Sequence, residues 1–178
     1  MQFKTNLKKF NKIRLQKSIY LNNIISGHDY FKFRAQNFGP YAHSIDILSR
    51  DIKEYQKYHN VTTEKAIEKS YQVLISKNFN SKMNNFTFSF EKTIDFVNEI
   101  NEDSKLELLT TILYIVDNKV DSSIDSIIKN VKSWNEHKRL SFNESMIEEN
   151  IFYLLKKGLI NKTLYNTYEI NKTTPNNV

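Results

Sequence analysis

Glycine is so scarce in this chain that it dictates the punctuation. Only three occur in 178 residues, Gly27, Gly39 and Gly158. They stand too far apart to build a G-x-G-x-x-G turn or a P-loop, which excludes those two phosphate cradles. Each falls instead where a periodic pattern stops. Gly27 is placed to cap the first helix, Gly39 precedes Pro40 in an expected turn, and Gly158 ends the last long helix. Cysteine is absent, which removes disulfides, thiolate zinc ligands and a thiol nucleophile. A chain of this length is one domain or two small ones sharing an interface. It buries roughly 70% of its unfolded surface and needs no staples.

Between those marks the apolar spacing is mostly helical. Residues 6–26 read as a helix through Leu15, Ile19, Tyr20, Ile24 and Ile25. Residues 30–34 alternate apolar and charged and predict a short strand, followed by a turn over 38–41. Residues 42–58 predict a helix with Ile45, Leu48, Ile52 and Tyr55 on its inner face. Thr62 or Thr63 caps an expected helix over 64–77, with Ala66, Ile67, Val73 and Leu74 inward. Residues 78–85 read as a polar loop, 86–90 as a second strand from the Phe-Thr-Phe-Ser-Phe alternation, and 91–100 as helical. Further on, 106–117 is apolar on more than one face, 122–135 is amphipathic, and 142–157 carries Met146, Ile147, Asn150, Ile151 and Leu154 in a stripe. Residues 159–170 suggest two strands around a polar turn. Three helices and a hairpin is the winged-helix order. The expected fold is mainly α with short β-strands (α+β). It has two packed helical lobes, residues 1–100 and a winged-helix-like 101–172, and a tail over 173–178.

The formal charge is +6, and its distribution matters more than its size. Lys4, Lys8, Lys9, Lys12, Arg14, Lys17, Lys32 and Arg34 face a single acid, Asp29, so residues 1–34 carry +7 and the remainder −1. A basic first helix fits phosphate contact with nucleic acid through counterion release. It equally fits the solvated face of an amphipathic helix, and frequent Lys, Asn and Ile point to compositional bias. That bias also accounts for the Asn-x-Ser/Thr triplets at Asn60, Asn85, Asn143, Asn161 and Asn171. The basic N-terminus lacks the apolar run of a secretory signal, and no stretch approaches the ~20 apolar residues of a membrane span. The expectation is a soluble cytoplasmic protein with no membrane partner.

No catalytic constellation is legible. His28, His43, His59 and His137 are too scattered to form a local metal pair. Asp121 and Asp125, and the adjacent Glu148 and Glu149, read as solvated acids near helix N-termini. No G-x-S-x-G elbow occurs. The chain is therefore read as a non-enzyme without cofactor, metal or small-molecule substrate. The last helix of the winged-helix-like lobe carries Glu144, Glu148 and Glu149 on its leading half, and these repel phosphates. That argues for a protein partner over major-groove reading.

Two clusters stand out. Phe38-Gly39-Pro40-Tyr41-Ala42 displays two aromatics on a turn before a helix, which serves either to anchor the core or to contact a partner. Trp134-Asn135-Glu136-His137-Lys138-Arg139 sets the only Trp beside cations near a helix end. It is either a buried Trp with a basic cap or an interface hot spot. With Leu15-Gln-Lys-Ser-Ile-Tyr-Leu21, Glu107-Leu-Leu-Thr-Thr-Ile-Leu113, Ile147 and Leu154-Leu-Lys-Lys-Gly-Leu-Ile160, these segments resemble the C-terminal domain of DarG antitoxins over about residues 13–160. The resemblance implies a toxin–antitoxin pair. In that family the partner toxin, DarT, is an ADP-ribosyltransferase that modifies single-stranded DNA using NAD. The antitoxin's N-terminal macrodomain reverses the modification and its C-terminal domain blocks the toxin. This chain resembles only the latter, as an excised domain or a stand-alone neutraliser, so de-ADP-ribosylation is not carried over. The resemblance implies occlusion of the toxin's single-stranded-DNA site, with Asp121, Asp125, Glu144, Glu148 and Glu149 standing in for phosphates. The expected partner-binding residues are Phe38, Tyr41, Trp134, Asn135, Lys138, Arg139, Glu144 and Glu148. The alternative function is a winged-helix nucleic-acid-binding regulator using the basic N-terminal helix.

Overall fold

The computed structural model describes residues 11–60, 62, 65 and 77–171, with 77–85 given by their backbone. Among these residues the fold is seven helices and two small antiparallel hairpins, in keeping with a mainly α chain carrying short strands.

Helix α1 spans Lys12–Ser26. Asn11 caps its start by accepting the Arg14 N–H at 2.8 Å, and Gly27 closes it with φ 66°, as its sequence position demands. Strands β1, Arg34–Gln36, and β2, Gly39–Tyr41, then pair with Gln36 opposite Gly39. This corrects two expectations. The strand lies later than 30–34, and Gly39-Pro40-Tyr41 is itself a strand, the turn being Asn37–Phe38. The reason is contact: Gly39 sits at φ 91°, and a Cβ there would lie 2.7 Å from Thr111 Oγ1. Only glycine lets the strand lie so close to the helix beneath it.

Helix α2 spans His43–Tyr58. Of its expected inner face only Ile45 is buried; Leu48, Ile52 and Tyr55 are exposed. Thr62 Oγ1 accepts the Lys65 N–H at 3.4 Å, as a cap would. The helix expected over 64–77 lies outside the described residues apart from its two ends at Lys65 and Lys77. Helix α3 is a single run from Lys77 to Asn98, which overturns the loop at 78–85 and the strand at 86–90. Apolar residues at i, i+2 and i+4 fit a strand, but i and i+4 also share a helix face. Phe86 and Phe90 stack at 5.5 Å, while Phe88 points to solvent.

Helix α4, Asp103–Asn118, is the central element. It contacts α1, β2 and the C-terminal elements, and Leu106, Leu108, Leu109, Ile112 and Leu113 are all fully buried. Helix α5 runs Ile124–Trp134 with Ser123 as cap. Helix α6, Glu136–Ser141, was not expected; Asn135 creates it by capping the Lys138 N–H at 2.8 Å. Helix α7, Glu144–Lys156, starts at the Asn143 cap. Strands β3, Ile160–Lys162, and β4, Tyr168–Ile170, form the expected hairpin, and Thr167 bridges back to Ser123. One apolar cluster runs from Tyr20 through Val97 and Leu108 to Tyr168, so the core is continuous across residue 100. The expected tail over 173–178 lies outside the described residues. No helix among the described residues is long and apolar enough to cross a membrane.

Candidate functional site

Two of the three described basic residues of the first helix do not present their charge. Arg14 is buried. Its Nε donates to Asp103 at 2.7 Å, its Nη2 to the Ile100 and Asn101 carbonyls at 2.6 and 2.9 Å, and its Nη1 to the Val97 carbonyl at 3.3 Å. It thereby serves one carbonyl of the last turn of α3 and two of the segment that follows it. Lys17 is also buried and donates to the Pro40 carbonyl at 2.9 Å. Lys12 is exposed but paired with Asp46 at 2.6 Å. Neither expectation for this helix, phosphate contact or a solvated face, describes Arg14 and Lys17. Among the described members of the basic segment, Lys32 and Arg34 remain exposed.

The two motif clusters, nearly a hundred residues apart, meet. Trp134 Nε1–H donates to the Gln36 carbonyl at 2.8 Å, and Asn135 Nδ2 donates to the Asn37 carbonyl at 2.8 Å. Phe38 packs edge-on against His137 at 5.7 Å. The end of α5 and the start of α6 thus clamp the β1–β2 turn. Phe38 remains half exposed at 52%. Tyr41 faces the other way and donates its hydroxyl to Asp46 at 2.6 Å. Burial pushes the Asp46 carboxyl up, but hydrogen bonds from Lys12, Tyr41 and Gln16 outweigh it and hold the group below its ordinary range.

Beneath the clamp lies a charged centre. Lys138, expected at a partner surface, is fully buried and donates to Glu107 Oε1 at 2.6 Å. It is a core ion pair, and a side chain with no exposed area cannot meet a partner. Burial depresses its ammonium, and the bond and charge of Glu107 oppose that. Lys17 shares this environment without a carboxylate of its own within bonding distance. Burial pushes it down to about 7, the Lys138 charge adds to the fall, and Glu107 resists it. Two buried ammonium groups against one carboxylate is a charge excess that the fold tolerates by weakening a lysine.

The remaining expected residues assemble elsewhere. Arg139, Glu144 and Glu148 line an open groove of about 600 Å³ with Asp125, Ile128, Lys129, Lys132 and Ser133. Its α5 wall presents Asp125, Lys129 and Lys132, its α7 wall Glu144 and Glu148. Lys129 and Lys132 were missed by sequence reading. Their three-residue spacing placed them on one face, but nothing local said that α7 lay opposite. Asp121 and Glu149, expected in the same acidic surface, do not line the groove. Asp121 accepts the Ser123 N–H at 2.9 Å, and that bond lowers its carboxyl; Glu149 accepts the Ser145 hydroxyl at 3.3 Å. Among the described residues no group of three or more His, Cys, Asp and Glu is arranged to hold a metal. Comparison with protein-family models, curated proteins and solved structures finds no match.

Proposed function

We propose that this chain is an antitoxin domain that binds a DNA-modifying ADP-ribosyltransferase toxin and inhibits it by occluding its single-stranded-DNA site. The reading originates in the resemblance of the Phe38–Ala42 and Val131–Arg139 segments to DarG C-terminal domains. The observation that supports it is the clamp. Phe38 of the first segment packs against His137 of the second, and the Trp134–Gln36 and Asn135–Asn37 hydrogen bonds hold the two residues that lead into Phe38. The winged-helix reading of residues 101–172 belongs to the same proposal. Helix α4, the Ser123 bridge, α5, the short α6, α7 and the β3–β4 hairpin follow one another in that order, with Ser123 pairing to Thr167 as a third strand would.

Co-expression with an ADP-ribosyltransferase toxin encoded beside this chain tests the proposal. Rescue of growth and a stable co-purified complex are expected. Failure of both, together with a duplex- or single-stranded-DNA affinity that falls steeply with salt, would replace the antitoxin reading by a nucleic-acid-binding one.

A further inference from the structure

Three charged side chains are buried together beneath the β1–β2 hairpin. Lys17 of α1, Glu107 of α4 and Lys138 of α6 are each no more than 5% exposed. Lys17 Nζ donates to the Pro40 carbonyl of β2 at 2.9 Å, and Lys138 Nζ donates to Glu107 Oε1 at 2.6 Å. One carboxylate therefore answers two ammonium groups, and it is bonded to the other lysine. The charges on the surrounding elements are engaged or turned outward. Lys12 and Arg14 of α1 pair with Asp46 and Asp103, and Tyr41 of β2 bonds to Asp46. Arg34 of β1, Lys105 of α4, and Glu91, Lys92, Asp95 and Glu99 of α3 are exposed. On α6, Glu136 pairs with Arg139 at the surface. His137 lies at the rim, its Nε2 3.7 Å from Glu107 Oε1 and its ring against Phe38. Burial and the neighbouring Lys138 charge push the Lys17 ammonium down to about 7, against the pull of Glu107.

The hairpin is what covers Lys17. Gly39 lies so close that a Cβ there would come within 3.2 Å of Lys17 Nζ, and Pro40 beside it is buried. This cover is tied down at few points. Trp134 and Asn135 hold the Gln36 and Asn37 carbonyls, and Gln16 holds the backbone of Ala42. All three residues of β1 are exposed. Lifting the hairpin would surround Lys17 with water and screen it from Lys138. The lifted form therefore takes up a proton more readily than the closed one, and by linkage proton uptake favours lifting. We propose that the β1–β2 hairpin is a proton-coupled latch, released from α4 and α6 when Lys17 becomes charged beside Lys138, and that its release carries Phe38 away from His137. The latch needs no partner, so it stands or falls apart from the antitoxin reading.

Hydrogen exchange of the full chain, followed by NMR from about pH 6 to about pH 9, tests this directly. Trp134 is the only Trp, so its indole N–H gives a single signal from the clamp. The Ala42 amide, bonded to Gln16 Oε1 at 3.1 Å, reports the far end of the hairpin, and amides in the middle of α4 report opening of the whole fold. Above about pH 7, where only the lifted form holds the proton, protection of the two hairpin signals should fall about tenfold per unit fall in pH. Below it both forms are charged and the protection should level off. Throughout, it should stay below that of α4. Lys17→Met should give protection that does not change with pH, and Lys17→Arg, charged at every pH, should give low and equally flat protection; either variant suffices if the other does not fold. His137→Gln should keep the wild-type slope. Flat wild-type protection overturns the latch. So does a slope that survives Lys17→Met or Lys17→Arg, and so does one that vanishes in His137→Gln, which assigns the proton to the imidazole. Hairpin signals protected as strongly as α4 also overturn it, since the hairpin then opens only with the whole fold.

Discussion

Helices α1 and α2 invert the usual link between pattern and burial. Helix α2 carries a regular apolar stripe, yet only Ile45 at its first turn is buried; Ile47, Leu48, Ile52, Tyr55 and Tyr58 are exposed. Helix α1 is rich in polar residues, yet Arg14, Gln16, Lys17, Ser18, Asn22 and Asn23 are all buried beside Tyr20, Leu21 and Ile24. The difference lies in the partners available. Several polar residues of α1 face backbone or side-chain groups that need a donor or acceptor. Arg14 serves the end of α3, Gln16 exchanges two hydrogen bonds with the backbone of Ala42, and Lys17 holds Pro40. Buried polar groups are tolerated where they are bonded, and through these three α1 acts as a polar keystone between α3, α4 and the first hairpin. Ser18 Oγ, Asn22 Nδ2 and Asn23 Oδ1 are buried without a hydrogen-bond partner among the described residues. Helix α2 is held by its N-terminal turn, through Asp46 and Ile45, and beyond that its stripe meets solvent.

The contrast is most directly broken at Arg14. Arg14→Ala withdraws the donors that reach Asp103, Ile100 and Asn101 and leaves a buried polar site without its cation. A loss of about 3–5 kcal/mol in unfolding free energy is expected by urea denaturation. Gly39→Ala tests the close approach of β2 to α4. The positive φ and the 2.7 Å approach to Thr111 Oγ1 together should lower stability by about 1–3 kcal/mol, and a thermal midpoint equal to wild type would show that the hairpin can lift away.

The buried charge excess gives a pH signature. Lys17 titrates near 7 when folded and at the ordinary 10.5 when unfolded. Over that window the unfolded chain binds more protons, so stability should rise with pH, by up to about 1.4 kcal/mol per unit. Lys138, also depressed by burial, acts in the same direction. Denaturant midpoints measured from pH 6.5 to 9 should climb in the wild type and flatten in Lys17→Met; a flat wild-type profile would refute the excess. The smallest effect is expected on α2. Leu48→Ser with Ile52→Ser should change unfolding free energy by less than about 0.5 kcal/mol, as exposed positions do. A larger loss would mean that the stripe is covered in solution.

Much of the local architecture was legible. The stops at Gly27 and Gly158, the amphipathic run leading to Trp134, the buried central helix and the last hairpin all follow from interactions within a few residues. The misreadings share one cause. Phe86 to Phe90 satisfied both a strand and a helix pattern, and the choice was made by packing, including the bond from Ser89 to the buried Asn22 at 2.9 Å. Gly39-Pro40-Tyr41 has turn composition but becomes a strand because α4 and Lys17 lie against it. For the candidate site, residue types were legible but their grouping was not. Arg139, Glu144 and Glu148 share a groove with Lys129 and Lys132, while Lys138, one position from Arg139, points into the core.

By itself, the sequence determined where α1 and α7 stop, that no glycine-rich phosphate loop or thiol chemistry can form, and that the chain would be mainly helical with a C-terminal hairpin. Those properties reside in single residues and their near neighbours. Only the tertiary structure decided which charges are buried, which apolar stripe is left in solvent, and which distant segments form the clamp and the two-sided groove. Burial and electrostatic pairing depend on what lies across a gap of a few ångströms, and a linear pattern carries no record of that neighbour.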